Sequence, residues 1–400
     1  AVSNVVSTGV ITIPMMKRGG YPGHVAGAIE AVASTGGQLM PPIMGAAAFV
    51  MAEFLQVPYG DVVIAAIVPA LLYYATLFIQ ADLYAARHGI SRVDEDLIPA
   101  RGRVFKAGWP FLIPFAVLIV ALFNLNLRPD TSALAAALAV VIVGMGLGYG
   151  GVRMKLGAVL RSFSTTGVAV TQIVMIGAMA GIVIGVLNIT GLGFALTQAL
   201  IEIAAGNLFL LLVMAAIVSI VLGMGMPTLG VYLLLATLVA PSLIEVGIPP
   251  MAAHMFALYF GMLSMITPPV AIAAFAAATV ANTSPMRTGY AAVLFGWSAY
   301  VIPFLFVVSP ALLLSGSIVV ILTTTAAAVA GIWSVSVGLA GHLFANLGTA
   351  ARAGFVAAGI ALLLPPSLVD GAMFINIAGA VLAAVLTVIG RRQRALQNPA

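Results

Sequence analysis

Long apolar runs without a single charge constrain this chain more than any other feature. No Asp, Glu, Lys or Arg lies between Arg161 and Glu202 or between Glu202 and Glu245, and similar runs continue to Arg287 and Arg352. Stretches of more than about 20 apolar residues are typical of membrane spans. Only 7% of the 400 residues are charged, whereas soluble domains carry about 25%. We therefore exclude a water-soluble enzyme and a nucleic-acid-binding protein, and predict a chain that lies in the lipid bilayer.

These segments are too long and too uniformly apolar for the strands of a membrane barrel, which alternate in polarity over about ten residues. Because every backbone polar group in the bilayer must be paired internally, helices are the remaining solution. We predict an all-α polytopic membrane protein. Glycines, prolines and charges delimit a first helical segment at 1–16 and spans at 24–57, 62–84, 109–127, 132–150, 166–189, 206–222, 229–245, 251–282, 289–314, 317–341, 352–368 and 371–390.

Positive charges predict the orientation, because cytoplasmic loops are rich in Lys and Arg. If the Lys-Arg pair at 17–18 lies inside, every Lys and Arg except Arg128 falls on the cytoplasmic side, provided that 206–245 enters and leaves the membrane on one side. The two arms of 206–245 surround Gly223-Met-Gly-Met-Pro-Thr228, and each is shorter than the roughly 20 residues that a helix needs to cross. We predict a re-entrant hairpin.

An internal repeat appears when the sequence is shifted by 227 positions without a gap. Four prolines and one glycine then coincide: Pro14 with Pro241, Gly20 with Gly247, Pro22 with Pro249, and Pro41-Pro42 with Pro268-Pro269. Each copy contains a helical arm, a Gly-x-Pro turn, and a long apolar segment interrupted by the Pro-Pro pair. Since the first turn is predicted to be cytoplasmic and the second external, we expect the two copies to be inverted.

Interrupted helices are costly in hydrocarbon, because freed backbone groups must find partners. A lone proline more often only kinks a span, but matched breaks in inverted repeats are typical of the substrate and ion site of secondary transporters. Helix starts are predicted at Pro268 with Thr267 as N-cap, at Pro41-Pro42, and at Pro227. Such N-termini suit a carboxylate, and the carbonyls that end the preceding half-helices suit a small hard cation.

The start of the chain is predicted to form part of a first hairpin, with Ser3, Asn4, Ser7 and Thr8 at its tip and in its second arm. Its opening arm is expected upstream of Ala1, so we expect this chain to be an N-terminally truncated fragment of a longer polypeptide. A single helical hydroxyl usually bonds to its own helix, whereas a set of hydroxyls at the breaks favours ligation.

Several stretches resemble the large membrane subunit of TRAP transporters, most closely the fused permeases of the TAXI branch. They are Ala1-Val-Ser-Asn-Val-Val-Ser-Thr-Gly9, Ile13-Pro-Met-Met-Lys-Arg18, Ala31-Val-Ala-Ser-Thr-Gly-Gly-Gln-Leu-Met-Pro-Pro42, Gly223-Met-Gly-Met-Pro-Thr228 and Thr267-Pro-Pro269. The resemblance covers about residues 1–314. It implies an elevator-type secondary transporter in a bacterial inner membrane, driven by Na⁺ or H⁺ without another cofactor. It also implies a periplasmic substrate-binding protein, and a small membrane subunit or fused N-terminal segment outside this chain.

The resemblance places the coupling ions where hairpin tips meet broken helices. The implied residues are Ser3, Asn4, Gly36 and Gln38 at the first site, and Gly223, Gly225, Thr228 and Thr267 at the second. The predicted substrate contacts are the neighbouring hydroxyl, glycine and proline positions Ser7, Thr35, Gly37, Pro42, Pro227 and Pro268. No Lys or Arg lies at a break, so an anionic substrate would be held by amides and helix N-termini.

Glu30 is a functional candidate because charged residues inside membrane segments are costly. It lies about two turns before Gly36 and could ligate a cation or carry a proton. Alternatively it could pair with Lys17 or Arg18, and the sequence leaves both readings open. The remaining acids of the spans are predicted to be solvated at span ends, and the histidines in apolar context to be structural: Glu53, Asp61, Asp82, Glu202, Glu245, His254 and His342.

Four parts are predicted along the chain: an incomplete first repeat at 1–84, a charged loop with connecting spans at 85–165, the second repeat at 166–314, and an extension of about three helices at 315–400. The predicted function is uptake of a small organic acid, similar to a C4/C5 dicarboxylate. The alternatives are a divalent-anion/sodium symporter without a binding protein and a non-transporting membrane subunit. The sequence contains neither a phosphate-binding Gly-x-x-x-x-Gly-Lys loop nor a His-Glu-x-x-His motif, and we predict that the protein is not an enzyme.

Overall fold

The computed structural model describes residues 1–90, 99–149, 152–365 and 371–397. Residues 91–98 of the predicted charged loop and the end of the predicted span 352–368 lie outside these ranges. Within them the all-α prediction is confirmed, since seven helices are long and apolar enough to cross a bilayer. The number is eight if the bent pair Pro285–Phe295 and Trp297–Val308 counts as one span.

The first repeat forms four helices. They are α1 (Val2–Arg18), α2 (Gly23–Gly36), α3 (Ala46–Leu55) and α4 (Tyr59–Arg87). The Gly-x-Pro turn separates α1 from α2, and its Gly20 has a φ of +106°, a conformation that favours glycine. The predicted span 24–57 is therefore two half-helices, α2 and α3, with a non-helical break between them.

A connecting group of helices follows. It comprises α5 (Arg101–Gly108), α6 (Leu112–Ile119), α7 (Pro129–Gly146), α8 (Leu156–Thr190) and α9 (Leu192–Ala204). The short helix α9 was not predicted. It is separated from α8 only by Gly191, whose φ of +67° ends one helix and lets the next begin in a new direction.

The second repeat and the extension complete the chain. The repeat contains α10 (Leu208–Gly223), α11 (Thr228–Leu238), α12 (Ala240–Glu245), α13 (Pro250–Leu263), α14 (Ile272–Ala281), α15 (Pro285–Phe295) and α16 (Trp297–Val308). After the 3-10 turn Pro310–Leu313 come α17 (Ile318–Ala340), α18 (Thr349–Leu363) and α19 (Ala372–Gln397). Pro227 precedes the first residue of α11, so the predicted helix start at this proline is confirmed. Together α11 and α12, Thr228–Glu245, are long and apolar enough to cross a bilayer, and the re-entrant hairpin stays a prediction.

The two broken segments share one register. Helix α13 begins and ends 227 residues after α2, and in both copies the break contains a cis Pro-Pro bond. The predicted helix starts at these prolines are wrong, because α3 begins only after Gly45 and α14 only after Ala271. A residue that precedes a proline is disfavoured in the helical conformation. The first proline of each pair precedes another proline, so a helix start at that position is disfavoured.

The broken segments run antiparallel. Helix α2 packs mainly against α14, while α13 packs against α3, so the first half of each segment lies beside the second half of the other. Helices α1 and α15 also pack on this centre, and every residue of α13 from Ala252 to Leu263 is buried. The protein core thus lies where the two repeats meet.

The connecting helices form a looser group beside this core. The long helix α8 packs against α9 and α11, and most of its apolar side chains are exposed, as expected for a lipid-facing helix. Helices α6 and α7 pack mainly on each other. The extension instead packs on the core through α17, which lies against α4 and the turn Pro310–Leu313.

Candidate functional site

Two tyrosines of α4 are hydrogen-bonded to the end of α2, just before the first break. The Tyr73 hydroxyl donates to the carbonyl of Val32 at 2.6 Å, and the Tyr74 hydroxyl donates to that of Ala33 at 2.8 Å. Both carbonyls lie near the end of α2, which stops at Gly36, and that of Ala33 also accepts from the amide of Gly37 at 3.2 Å. The tyrosines therefore orient the backbone at the point where the helix stops.

Gly36 is needed for this contact. A Cβ on Gly36 would lie 2.3 Å from Cε1 of Tyr73 and 3.0 Å from Cζ of Tyr74, closer than side chains can approach. The groups that approach the backbone closely at Gly36 are thus the rings of these two tyrosines. Gly37, in contrast, is exposed and would meet only ordinary contacts, so it leaves the backbone of the break accessible.

Glu30 lies in a ring of hydroxyl groups. Its side chain is only 6% exposed, and it accepts hydrogen bonds from Thr8 and Thr12 of α1, each at 2.5 Å, and from Ser34 of α2 at 3.1 Å. Since a hydroxyl carries one hydrogen and two acceptor sites, these groups can donate to a carboxylate or accept from a carboxylic acid. The ring can therefore satisfy either protonation state of Glu30.

No ion pair joins Glu30 to the neighbouring basic residues. Lys17 donates instead to the carbonyl of Ala281 at 3.0 Å, which caps the end of α14. In the part of the chain that the structure describes, the salt bridge found joins Arg128 and Asp130. Of the two sequence-based readings, pairing with Lys17 or Arg18 is therefore wrong for this conformation.

The second break is joined to the second hairpin by Ser264. Its hydroxyl lies 2.9 Å from the carbonyl of Gly223, the last residue of α10, and 2.6 Å from that of Gly261 in α13. Gly223 is buried, and a Cβ there would lie 2.9 Å from the Ser264 hydroxyl. The glycine thus permits the close approach of the hairpin tip to the break.

Thr267 connects the second break to α16. Its hydroxyl donates to the carbonyl of Leu263 at 2.6 Å and lies 2.7 Å from the Tyr300 hydroxyl. Because the threonine hydrogen is used on the carbonyl, Tyr300 acts as the donor to Thr267. The threonine does not cap α14 as predicted; it reaches back to the last residue of α13.

The two breaks lie close together in the core. A Cβ on Gly296 would lie 3.4 Å from Cγ1 of Val32, next to the first break, and 3.3 Å from Cδ1 of Ile266, within the second. Both breaks therefore lie beside Gly296, which separates α15 from α16.

The predicted coupling-ion residues are brought together only in part. In the first set, Asn4 donates to the Ser34 hydroxyl at 3.1 Å, while Ser3 is exposed and Gln38 is half-buried beside Gly45. In the second set, Gly223 and Thr267 lie at the break, as described above. Gly225 is exposed with a φ of +81°, and Thr228 is half-buried at the first turn of α11.

The predicted substrate residues differ in accessibility. Thr35 is 1% exposed and donates to the carbonyl of Ala31 at 2.8 Å, so its hydroxyl serves its own helix in this conformation. Ser7 is exposed and donates to the carbonyl of Asn4 at 3.1 Å. The remaining members are exposed or half-buried at the breaks and the hairpin tip: Gly37, Pro42, Pro227 and Pro268.

The other sequence assignments concern charges and histidines. The five acids predicted at span ends are all exposed: Glu53, Asp61, Asp82, Glu202 and Glu245. His254 is buried with its Nδ1 2.8 Å from the Tyr232 hydroxyl, and His342 lies 3.1 Å from Asn346 through its own Nδ1. Both histidines have local partners, in keeping with structural roles.

Sequence reasoning missed five residues that the structure places at the site. They are Thr12, Ser34, Ser264, Tyr73 and Tyr300. Thr12 and Ser34 could have been found from helical spacing, since Thr12 follows Thr8 and Ser34 follows Glu30 by one helical turn. Tyr73 and Tyr300 could have been found from the repeat, because they too lie 227 positions apart.

Two broken helices that share one register, with the first half of each packed beside the second half of the other, are typical of membrane transporters. Residues 1–321 match the family model of the tripartite ATP-independent periplasmic transporter, DctM component. The chain belongs to this family, whose members are transport permeases and not enzymes. With its apolar helices, the chain is a multi-pass protein of the bacterial inner membrane.

Three relatives illustrate the range of the family. The isethionate TRAP transporter permease protein DctMQ of Oleidesulfovibrio alaskensis is 23% identical over 282 residues, which are 70% of this chain and 43% of that protein. A putative TRAP transporter large permease protein of Haemophilus influenzae is 25% identical over 68% of this chain and 62% of its own length. The 2,3-diketo-L-gulonate TRAP transporter large permease protein of Escherichia coli is 23% identical, with the same coverage. The chain thus spans between 43% and 62% of the lengths of these relatives.

Proposed function

We propose that this chain is the permease part of a binding-protein-dependent secondary transporter that takes up a small organic acid, driven by an ion gradient. The observation that carries the proposal is that, in both repeats, the end of the half-helix before the break is hydrogen-bonded to a neighbouring helical segment. In the first, Asn4 of the hairpin segment bonds to Ser34 near the end of α2, and in the second Ser264 bonds to Gly223 at the hairpin tip. In each repeat, the hairpin segment is thus hydrogen-bonded next to a helix break. Backbone groups of the break are accessible beside this contact.

The division of the helices supports an elevator mechanism. Helices α1–α4 and α10–α16 pack as one core around the breaks, while α8 touches that core mainly through α11. A core that carries both breaks can move against such a loosely attached group without unpacking itself. Helix α9 packs mainly on α10–α12 and so belongs with the core. We propose that α5–α8 form part of the scaffold and that the core carries the substrate.

Glu30 is proposed as the group that couples the ion to this movement. It is a buried acid of the broken helix α2 that is also hydrogen-bonded to the hairpin segment α1. A change in its charge would therefore change how tightly α1 and α2 are held together. The hydroxyl ring accommodates a bound proton, and helix-end carbonyls suit Na⁺. A proton on Glu30 and a sodium ion at the breaks therefore make different predictions, which are given in the Discussion.

The substrate class is proposed to be a small organic anion. Two relatives are named for isethionate and for 2,3-diketo-L-gulonate, both small organic anions, and a C4/C5 dicarboxylate is the narrower form of the same proposal. No Lys or Arg side chain contacts either break among the described residues, so the anion would be bound by hydroxyls and backbone amides.

The partners are proposed to be a periplasmic substrate-binding protein and a small membrane subunit or an equivalent fused segment. The test is uptake of radiolabelled organic acids by the complete transporter in proteoliposomes. We expect flux only when the binding protein and an ion gradient are both present. Flux without the soluble protein would favour the divalent-anion/sodium symporter, and absence of flux under all conditions with an otherwise folded complex would favour a non-transporting subunit.

A further inference from the structure

A groove runs along the C-terminal extension, between α17 and α19. Helix α18 packs closely on both of these helices, whereas α17 and α19 touch each other little, so the surface between them is left open over α18. The groove has a volume of about 360 Å³ and is lined mainly by alanines and other apolar side chains, among them Ala330, Trp333, Ala380 and Ala384. Arg391 also lines it and supplies its positive charge.

The length of the groove matches one leaflet of a membrane. Its lining residues on α19 extend from Ala380 to Arg391, a rise of about 16 Å along a helix. Half of a hydrocarbon core of about 30 Å is about 15 Å. A single acyl chain can therefore lie in the groove between the middle of the bilayer and its surface.

The charged end of the groove lies on the face that is predicted to be cytoplasmic. In the turn that follows the Lys-Arg pair at 17–18, the Tyr21 hydroxyl donates to the carbonyl of Ala81 in the last turns of α4. Arg87, the last residue of α4, in turn donates to the carbonyl of Ala340, the last residue of α17. The ends of α4 and α17 thus lie on the same side as this pair of basic residues.

Arginines from three helices meet at this end. Arg87 of α4 and Arg352 of α18 donate to the carbonyls that end α17. The guanidinium of Arg391 lies over the ring of Phe344, in the loop after α17, at 5.2 Å from the ring centroid. Among the residues that the structure describes, none of these arginines forms an ion pair with an acid. Their positive charge is therefore available to an anion.

Basic residues at the cytoplasmic end of a span are common, and on a flat surface they would need no further explanation. Here Arg391 stands at the end of an apolar groove that is as long as an acyl chain, and a guanidinium matches the geometry of a phosphate group. Basic pockets between membrane helices on the cytoplasmic side are typical sites for anionic lipid headgroups.

We propose that the groove between α17 and α19 binds a phospholipid with an anionic headgroup from the cytoplasmic leaflet. One acyl chain lies along the alanines of α19, and the phosphate is bound by Arg391. The site belongs to the extension and does not depend on the proposed ion coupling or substrate.

The test uses the fluorescence of Trp333, because bromine atoms on an acyl chain in the groove would quench it. The complete transporter is placed in phosphatidylcholine nanodiscs with increasing fractions of phosphatidylglycerol that carries brominated chains, and in a parallel series with brominated phosphatidylcholine. The difference between the native protein and Trp333→Phe isolates the signal of this tryptophan. We expect half-maximal quenching at an about 10-fold lower fraction of the anionic lipid, the size of one hydrogen bond between charged groups.

Arg391→Gln should remove most of this preference for the anionic lipid. Arg392→Gln is the matched control, because it removes the same charge at an exposed neighbouring position that is not part of the groove lining, and its effect should be clearly smaller. Ala384→Phe fills the groove but keeps Arg391, and it should also weaken quenching by the anionic lipid.

Three results would overturn the proposal. Equal half-maximal fractions for the two lipids in the native protein would show ordinary contact with the bilayer. Equal effects of Arg391→Gln and Arg392→Gln would show a general surface charge. Native quenching in Ala384→Phe would place the acyl chain outside the groove. Because the measurement reports lipid binding and not uptake, each result is independent of the proposed transport function.

Discussion

At the scale of single residues, Glu30 is the exceptional feature of the core. It is a buried acid in an apolar segment, and hydroxyl groups surround it where a basic partner would be expected. Buried charges without an opposite charge are costly. The position of Glu30, in contact with both α1 and α2, is explained if its carboxylate is protonated or neutralised by a bound cation during function.

We expect Glu30→Gln to reduce ion-driven uptake about 10-fold or more, a typical size for the loss of a coupling interaction. The amide preserves the shape of the side chain but cannot carry a charge or exchange the coupling proton. Initial uptake rates are measured under a Na⁺ gradient at equal pH and under a pH gradient without Na⁺. The gradient that no longer drives the variant identifies the coupling ion.

Glu53→Gln serves as the control, because Glu53 is exposed at the end of α3. It should transport like the native protein. If Glu30→Gln also retains native rates under both gradients, Glu30 has no part in coupling.

At the scale of the elements, the break in each long segment depends on how neighbouring helices pack against it. The rings of Tyr73 and Tyr74 lie directly on Gly36, where α2 ends. Because α4 supplies both rings, the position of α4 determines which side chains meet the end of the first half-helix.

We expect Gly36→Ala to destabilise the protein by about 1–3 kcal/mol, the usual cost of overpacking a close contact. The new Cβ would lie 2.3 Å from Tyr73, so α2 and α4 would have to separate. Thermal unfolding in detergent measures the effect. Gly37→Ala is the adjacent control: its Cβ would meet only ordinary contacts and its φ is −58°, so its unfolding midpoint should change little. Equal destabilisation by both substitutions would contradict the packing argument.

At the scale of the whole molecule, the protein consists of a core that contains both breaks and α9, the loosely attached helices α5–α8, and an extension α17–α19. The extension is fastened to the core by hydrogen bonds as well as by packing. Arg87 donates to the carbonyl of Ala340 at 2.7 Å, and the Trp297 indole donates to Ser336 at 3.2 Å. We therefore expect the extension to move with the core.

A cross-link between α8 and the second hairpin tests the elevator movement. The chain contains no cysteine, so an introduced pair can be oxidised without background reaction. A Cβ on Gly230 of α11 would lie 3.5 Å from Cγ2 of Ile176. We expect Ile176→Cys with Gly230→Cys to stop uptake when oxidised, and to recover it on reduction. Full uptake by the oxidised pair would argue against a core that moves past α8.

A second cross-link tests the attachment of the extension. Trp297→Cys and Ser336→Cys, bridged by a short thiol-reactive linker, should leave uptake near that of the unbridged double variant, because both positions belong to one moving body. Loss of uptake upon bridging, with the α8 pair behaving as expected, would instead assign the extension to the scaffold.

Much of this architecture follows from local features of the sequence. Long charge-free apolar runs can be satisfied only by membrane helices, and prolines at matched positions locate both breaks and their register. The family resemblance rested on the same stretches, and the family match supports it. These features depend on residues near one another in the chain, which is why they could be recognised without the fold.

The partners of each polar side chain were decided only by the tertiary structure. Whether Glu30 contacts Lys17 or the hydroxyls of α1 depends on how α1 and α2 are rotated against each other. Whether helices begin at the prolines depends on the backbone conformation within the breaks. Tyr73 and Tyr300 carried a repeat signal in the sequence, but only packing showed that their hydroxyls reach the broken ends. The sequence thus determined where the helices must break, whereas helix packing determined which groups meet there, because such contacts join residues that are distant along the chain.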